Sequence, residues 1–227
     1  MSTPDVVDQH VAELARALRG PARTRRSMLT EVRDGLHDAA AAHRCCGLDP
    51  QQAAVRAVRD FGPVPEVAQA FQSELVARQG RWAALLLLVA FPGMTLGWDL
   101  LWRSGGVAWH TSAAQPVWDV VVGLARAQDT AAGLVSAMAV VLLAATFHRS
   151  IPARRIAVLV GHTGAVGALL CAGIGVVMNV AVGPGAGDLI ATNPFALPAF
   201  GVSALVCALV MRSAVRTLRV AYAPAVG

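Results

Sequence analysis

Four long apolar runs in the second half of the chain limit its fold more than any other feature. A helix needs about 20 residues, within a range of about 17 to 25, to cross a bilayer core roughly 30 Å thick. Runs of about this length cover residues 82–102, 130–147, 156–182 and 195–211. The sequence therefore predicts four transmembrane helices.

The distribution of charge separates this apolar half from the first 80 residues. Residues 1–80 hold ten Arg and ten Asp or Glu, whereas residues 81–227 hold nine Arg and four Asp. The formal net charge of +5 therefore lies in the apolar half, and its basic balance is no sign of direct nucleic-acid binding. We expect a helical domain in water at 1–80, followed by a transmembrane domain at 81–227.

The positions of the arginines predict how the spans are oriented. Cytoplasmic loops of membrane proteins are enriched in Arg and Lys. Seven of the nine arginines in the second half lie before the first span, between the second and third, or after the fourth. Nor does a short apolar run with a cleavage site follow Met1. We therefore expect a multi-pass protein of the cell membrane with both termini in the cytoplasm.

The first 80 residues predict four short helices. Apolar residues recur at steps of three and four over residues 4–20, about 23–44, about 50–61 and from about 65 onward. Asp49 is placed to cap the third helix, with Pro50 at its first position. The expected core holds Val7, Leu14, Leu29, Leu36, Val58, Phe61 and Phe71. The fold class is thus all-α: a small helical domain plus a four-helix transmembrane bundle.

The segment from Gly47 to Ala68, GLDPQQAAVRAVRDFGPVPEVA, resembles the HAAS domain, also described as the permease prefix domain. That family pairs a GLDPEEA helix start with an FGDP..VA ending, although Pro63 stands one place earlier here than the usual Asp-Pro. The resemblance covers roughly residues 5–78. It implies a cytoplasmic signalling or interaction module, fused to membrane helices or to transporter permeases and often associated with PadR-like winged-helix regulators. It brings no catalytic residues.

Five arginines are candidates for partner docking or for coupling between the two domains. Arg23, Arg25 and Arg26 form a basic cluster that could bind a partner or anionic lipid, although such a cluster in a neutral domain is more often a solvated face. Arg78 and Arg81 flank the short link into the first span. Movement of the spans could reach the domain through this link.

Polar residues within the spans are candidates for an intramembrane site, because their burial in lipid is costly unless they are paired or face a cavity. His162 and Asn179 are the candidates here, and a histidine that packs or hydrogen-bonds between helices is the alternative. Asp99 and Arg103 are spaced to form a local ion pair. Residues 114–125 are expected at the outer interface, anchored by Trp109 and Trp118, and Trp98 in an interfacial belt.

The sequence predicts no enzyme, no cofactor and no metal site. His37, His43, Cys45 and Cys46 do not have the spacing of a standard zinc site. No Ser-His-Asp set, metalloprotease motif or dinucleotide fingerprint is found either.

These observations favour a membrane-anchored regulatory or signalling protein whose cytoplasmic helical domain docks a protein partner, such as a PadR-like transcription regulator. The alternative is a permease subunit or an accessory component of an ABC-type transporter. In a transporter, His162, Thr163 and Asn179 would be expected to line a common water-filled path. A homo-oligomer is also compatible with the small-residue faces of the third span.

Overall fold

The protein is described by a computed structural model that covers residues 5–104, 115–148, 151–183 and 195–222. Within these residues the chain is all-helical, as predicted. The helices are α1 (Val6–Ala17), α2 (Ala22–Cys45), α3 (Pro50–Phe61), α4 (Val64–Ser104), α5 (Gln115–Ala145), α6 (Ala153–Val182) and α7 (Ala196–Tyr222). Two residues used in the topology and interface predictions, Trp109 and Arg149, lie outside the described residues.

The chain divides into two compact units. The first comprises residues 1–78 together with 219–227, and the second comprises residues 79–218. Helix α4 contributes residues to both units, because its bounds include the division at residues 78 and 79. Each unit has its own apolar core.

The core of the first unit is made by α1, α2 and the first turns of α4. Its buried members are Val7, Val11, Leu14, Leu18, Val32, Leu36, Ala68 and Leu75. The seven core residues predicted from the sequence all belong to it. Three of them are buried, and Leu29, Val58, Phe61 and Phe71 are partly buried against the cluster. Apolar periodicity therefore identified the inward face of each helix correctly.

Local chemistry fixes where the helices of this unit begin and end. The Asp49 carboxylate accepts the backbone N–H groups of Gln51 and Gln52, each at 2.9 Å, so it caps α3 as predicted. Gly47 before the cap has φ +92°, a value that favours glycine. Helix α1 differs from the prediction by two residues at its start, because Asp5 rather than an earlier residue acts as its N-cap.

Polar contacts tie the helices of the first unit together. The side-chain amide of Gln72 pairs with the backbone of Arg19 in both directions, accepting its N–H at 3.0 Å and donating to its carbonyl at 2.9 Å. Arg33 on α2 forms an ion pair with Asp8 on α1 at 3.0 Å. These contacts join α1 to α2, and the segment that follows the end of α1 to α4.

Four helices of the described residues are long and apolar enough to cross a membrane, which confirms the predicted number of candidate spans. They are Val64–Arg103, Trp118–Ala145, Ala153–Ala181 and Leu197–Tyr222. The last predicted helix of the domain and the first predicted span are one helix, α4, of 41 residues. Gly80 does not end it, because a single glycine surrounded by good helix formers weakens a helix without stopping it.

The helix of the second span begins before the apolar run from which the span was predicted. The segment expected at the interface, residues 114–125, and the span expected at 130–147 lie largely within the single helix α5. Asp119 and Asp129 point out of this helix as exposed side chains, so neither interrupts its backbone hydrogen bonds. The charged residues limit the apolar run, but the helix continues through them.

The second unit packs through the small residues of α6. A β-carbon on Gly167 would lie 2.8 Å from the ring of Phe91 on α4 and 3.0 Å from Val135 on α5. A β-carbon on Gly161 would lie 2.7 Å from Leu218 on α7. These glycines therefore allow α6 to approach three neighbouring helices closely, as the predicted small-residue faces require.

Trp98 makes contacts between helices that were not predicted. Its indole N–H donates to the Ser203 hydroxyl on α7 at 2.9 Å, and its ring meets that of Phe200 edge to face at a centroid distance of 5.1 Å. The side chain is half-buried between α4 and α7. Trp98 therefore connects α4 and α7 within the second unit.

Candidate functional site

The three arginines at the start of α2 differ in their surroundings. Arg25 donates to the carbonyl of Leu18 at 3.3 Å and so helps to satisfy the end of α1. Arg23 and Arg26 are exposed, and their guanidinium groups form no ion pair within the described part of the chain. Arg23 and Arg26 are therefore accessible to a partner, whereas Arg25 stabilises the end of α1.

The residues around the predicted link are part of α4 rather than a flexible connection. Arg78 is exposed, and Arg81 is half-buried. Between them, Gln79 donates its side-chain amide to the Thr217 hydroxyl on α7 at 3.3 Å, and Thr217 is fully buried. A β-carbon on Gly80 would lie 3.4 Å from Ala157 on α6. Within the second unit, this turn of α4 thus packs against both α6 and α7.

The two polar residues predicted for an intramembrane site lie on the same helix, α6. The His162 ring nitrogen Nδ1 lies 2.8 Å from the carbonyl of Val158, and the Asn179 amide donates to the carbonyl of Gly175 at 2.8 Å. Both side chains are exposed, bond to their own helix and lie about 25 Å apart along it at 1.5 Å per residue. The two side chains are therefore too far apart to contact each other.

A polar groove between α4 and α5 was not predicted. It has a volume of about 350 Å³ and is lined by Pro92, Thr95, Leu96, Asp99, Asp129, Ala132, Gly133 and Ser136. Asp99 forms the predicted ion pair with Arg103, at 2.9 and 3.2 Å, whereas Asp129 forms none within the described residues. The groove brings together carboxylates 30 positions apart, a pairing that helix periodicity cannot reveal.

A second groove lies in the first unit, between the end of α2 and α3. It has a volume of about 520 Å³ and is lined by His43, Leu48, Gln51, Gln52, Val55, Arg56 and Arg59. Leu48 and Val55 are its large apolar lining residues, and Arg56 and Arg59 are its basic ones. None of these residues was predicted as a site, because each by itself is an ordinary surface residue of an amphipathic helix.

The histidines and cysteines considered for a metal site lie in α2 or directly after it. The His43 Nε2 atom lies 3.4 Å from the Asp60 carboxylate. Cys45 is the last residue of α2, Cys46 follows it, and both thiols are exposed. Across the ranges that the structure describes, no group of three or more His, Cys, Asp or Glu side chains is close enough to hold a metal ion. All four cysteines are free thiols.

Comparison with known proteins adds no relative to this picture. No family model, curated protein or solved structure matches the chain. The resemblance of Gly47–Ala68 to the HAAS domain therefore stays a prediction from the quoted residues.

Proposed function

We propose that this chain is a membrane-anchored regulatory protein whose first unit is a HAAS-like domain that docks a cytoplasmic protein partner, such as a PadR-like transcription regulator. The observation that carries the proposal is the architecture of α4. One uninterrupted helix contributes to the core of the first unit through Leu75 and, farther along, to the core of the second through Leu87. Such a helix can transmit a displacement because it bends little over a few turns.

The packing around Gly80 supports a coupling role for this part of α4. Gly80 leaves little space against Ala157, and Gln79 is held by the buried Thr217. A shift of α6 or α7 within the second unit would therefore push on α4 directly. Cores are close-packed, so small shifts tend to move whole helices rather than being absorbed locally.

In the proposed orientation, both termini are cytoplasmic. The support is the predicted excess of arginine on one side, which includes Arg154, Arg155, Arg212 and Arg216 of the described residues. Reporter fusions after Tyr222 and between α4 and α5 should give opposite localisation signals. A cytoplasmic signal from both positions would contradict this topology.

The docking proposal is tested by affinity purification of the full chain in mild detergent from native cells, compared with a chain that lacks residues 1–78. We expect a regulator to be lost on truncation. A matched chain carrying Arg23→Gln and Arg26→Gln tests whether the exposed cluster contributes. If truncation removes no partner, the docking function is wrong.

The coupling mechanism is tested by two insertions after Arg78. A flexible Gly-Gly-Ser insertion should disconnect regulation from the spans because it ends the helix. An alanine-rich insertion of about seven residues, close to two helical turns, should preserve more of the response because it continues the helix in nearly the same phase. Equal responses from both chains would exclude α4 as a rigid connection.

A permease subunit or transporter accessory is the second candidate, and the groove between α4 and α5 favours it. Asp129 and Asp99 present carboxylates beside the hydroxyls of Thr95 and Ser136, and both hydroxyls donate to carbonyls of their own helices. Ionisable groups within spans often belong to transport paths. Asp129→Asn should then abolish transport of a cationic solute, and unchanged uptake would count against this candidate.

A further inference from the structure

The groove between α2 and α3 combines exposed apolar side chains with a basic side chain. Two of its apolar lining residues, Leu48 and Val55, are 36% and 49% exposed. Of the two arginines that line the groove, Arg56 forms an ion pair with Asp60 at 3.0 Å, whereas Arg59 forms no ion pair within the described residues. The site therefore combines a bulky apolar residue with a free cation.

The outer face of α2 has the opposite character. Glu31, Asp34 and Asp38 are exposed and lie three and four positions apart, so they share one face of the helix. This face points away from Leu36 and the core. Asp34 and Asp38 form no ion pair in the part of the chain that the structure describes.

This acidic face also has room for a neighbouring helix. No atom lies within 4 Å of the position that a β-carbon on Gly35 would occupy. Ala42, about two turns further on, is exposed as well. A face of small residues between carboxylates can receive a bulky apolar side chain flanked by arginines, because the helices can approach closely.

We propose that the α2–α3 groove of one chain binds the acidic outer face of α2 in a second copy of the same chain. Arg59 would meet Asp38 of that copy, and Val55 would cover the surface near Gly35. A two-fold arrangement would use the contact twice. Anchoring in one membrane raises the effective concentration of the two units, so weak contacts suffice.

Charge selects this occupant over direct pairing of two grooves. If two grooves faced each other, the Arg59 side chains of both copies, which form no ion pair within the described residues, would be brought together, and like charges oppose such contact. The acidic face supplies the missing opposite charge from the same sequence. This inference goes beyond partner docking and does not depend on it.

The test measures resonance energy transfer between full-length chains in liposomes, with donor and acceptor fluorescent proteins fused before Met1. The protein-to-lipid ratio at half-maximal transfer reports the strength of association. Arg59→Glu and Asp38→Arg should each raise this ratio about tenfold. The attraction between Arg59 and Asp38, which occurs twice in a two-fold arrangement, becomes a repulsion in either variant. The chain carrying both changes should return to within about twofold of the wild type.

A matched control is Arg16→Glu, the same charge change on an exposed residue of α1 outside the groove. It should change the ratio by less than about twofold. Recovery in the doubly changed chain also excludes misfolding as the cause of the single effects. Three results would overturn the proposal: no transfer by the wild type, equal transfer by both single variants and the wild type, or no recovery on combining the changes. Equal transfer would assign association to another surface, such as the spans.

Discussion

Replacing Gly167 by alanine should destabilise the second unit. The added β-carbon would lie 2.8 Å from the Phe91 ring and 3.0 Å from Val135, and those two side chains are only 3% and 9% exposed. Neither can move aside without disturbing α4 or α5. Overpacking of this kind costs about 1–3 kcal/mol. The greater helix preference of alanine offsets about 0.5–1 kcal/mol, which leaves a net loss of up to about 2.5 kcal/mol, centred on about 1 kcal/mol.

The measurement is the free energy of unfolding in mixed micelles, followed by circular dichroism as denaturing detergent is added. Gly173→Ala is the matched control, because it lies on the same helix and no atom lies within 4 Å of its added β-carbon. This control should be as stable as the wild type or slightly more stable. If Gly167→Ala and Gly173→Ala unfold at the same detergent concentration, the close approach of α6 to Phe91 is wrong.

Three further substitutions test other parts of the fold by the same unfolding measurement. Asp49→Ala should cost about 1 kcal/mol, because it removes the acceptor for two N–H groups at the start of α3, and a loss below about 0.3 kcal/mol would contradict the cap. Leu14→Ala should cost about 2–5 kcal/mol because Leu14 is completely buried, whereas Val55→Ala at the exposed groove should cost far less. Trp98→Phe should cost at least about 1 kcal/mol, through the lost hydrogen bond to Ser203 and the smaller ring, and the loss should be smaller in a chain that already carries Ser203→Ala.

The sequence by itself determined the features that depend on nearest neighbours. Asp49 followed by Pro50 was sufficient to place the start of α3, because a cap needs only residues two and three positions away. The pair of Asp99 and Arg103 was likewise predictable from its spacing of four. The number of candidate spans followed from the length of the apolar runs, since a bilayer core sets a minimum length.

Helix limits around the spans were less predictable, because apolar composition and helix continuity are different properties. Hydropathy falls at Arg78 and Asp129, yet α4 and α5 continue through both. A charged side chain leaves the helix backbone fully hydrogen-bonded, and it is tolerated wherever its charged group can reach water. Periodicity also could not show that His162 and Asn179 bond to their own helix instead of facing each other.

The tertiary structure alone decided which surfaces are grooves. Val55 and Arg59 resemble other residues of an amphipathic helix until the end of α2 forms the opposite wall beside them. In the second unit, Asp99 and Asp129 meet only because α4 and α5 are neighbours. Local sequence fixes the direction of a side chain relative to its own helix, whereas the neighbour it meets depends on how the helices pack.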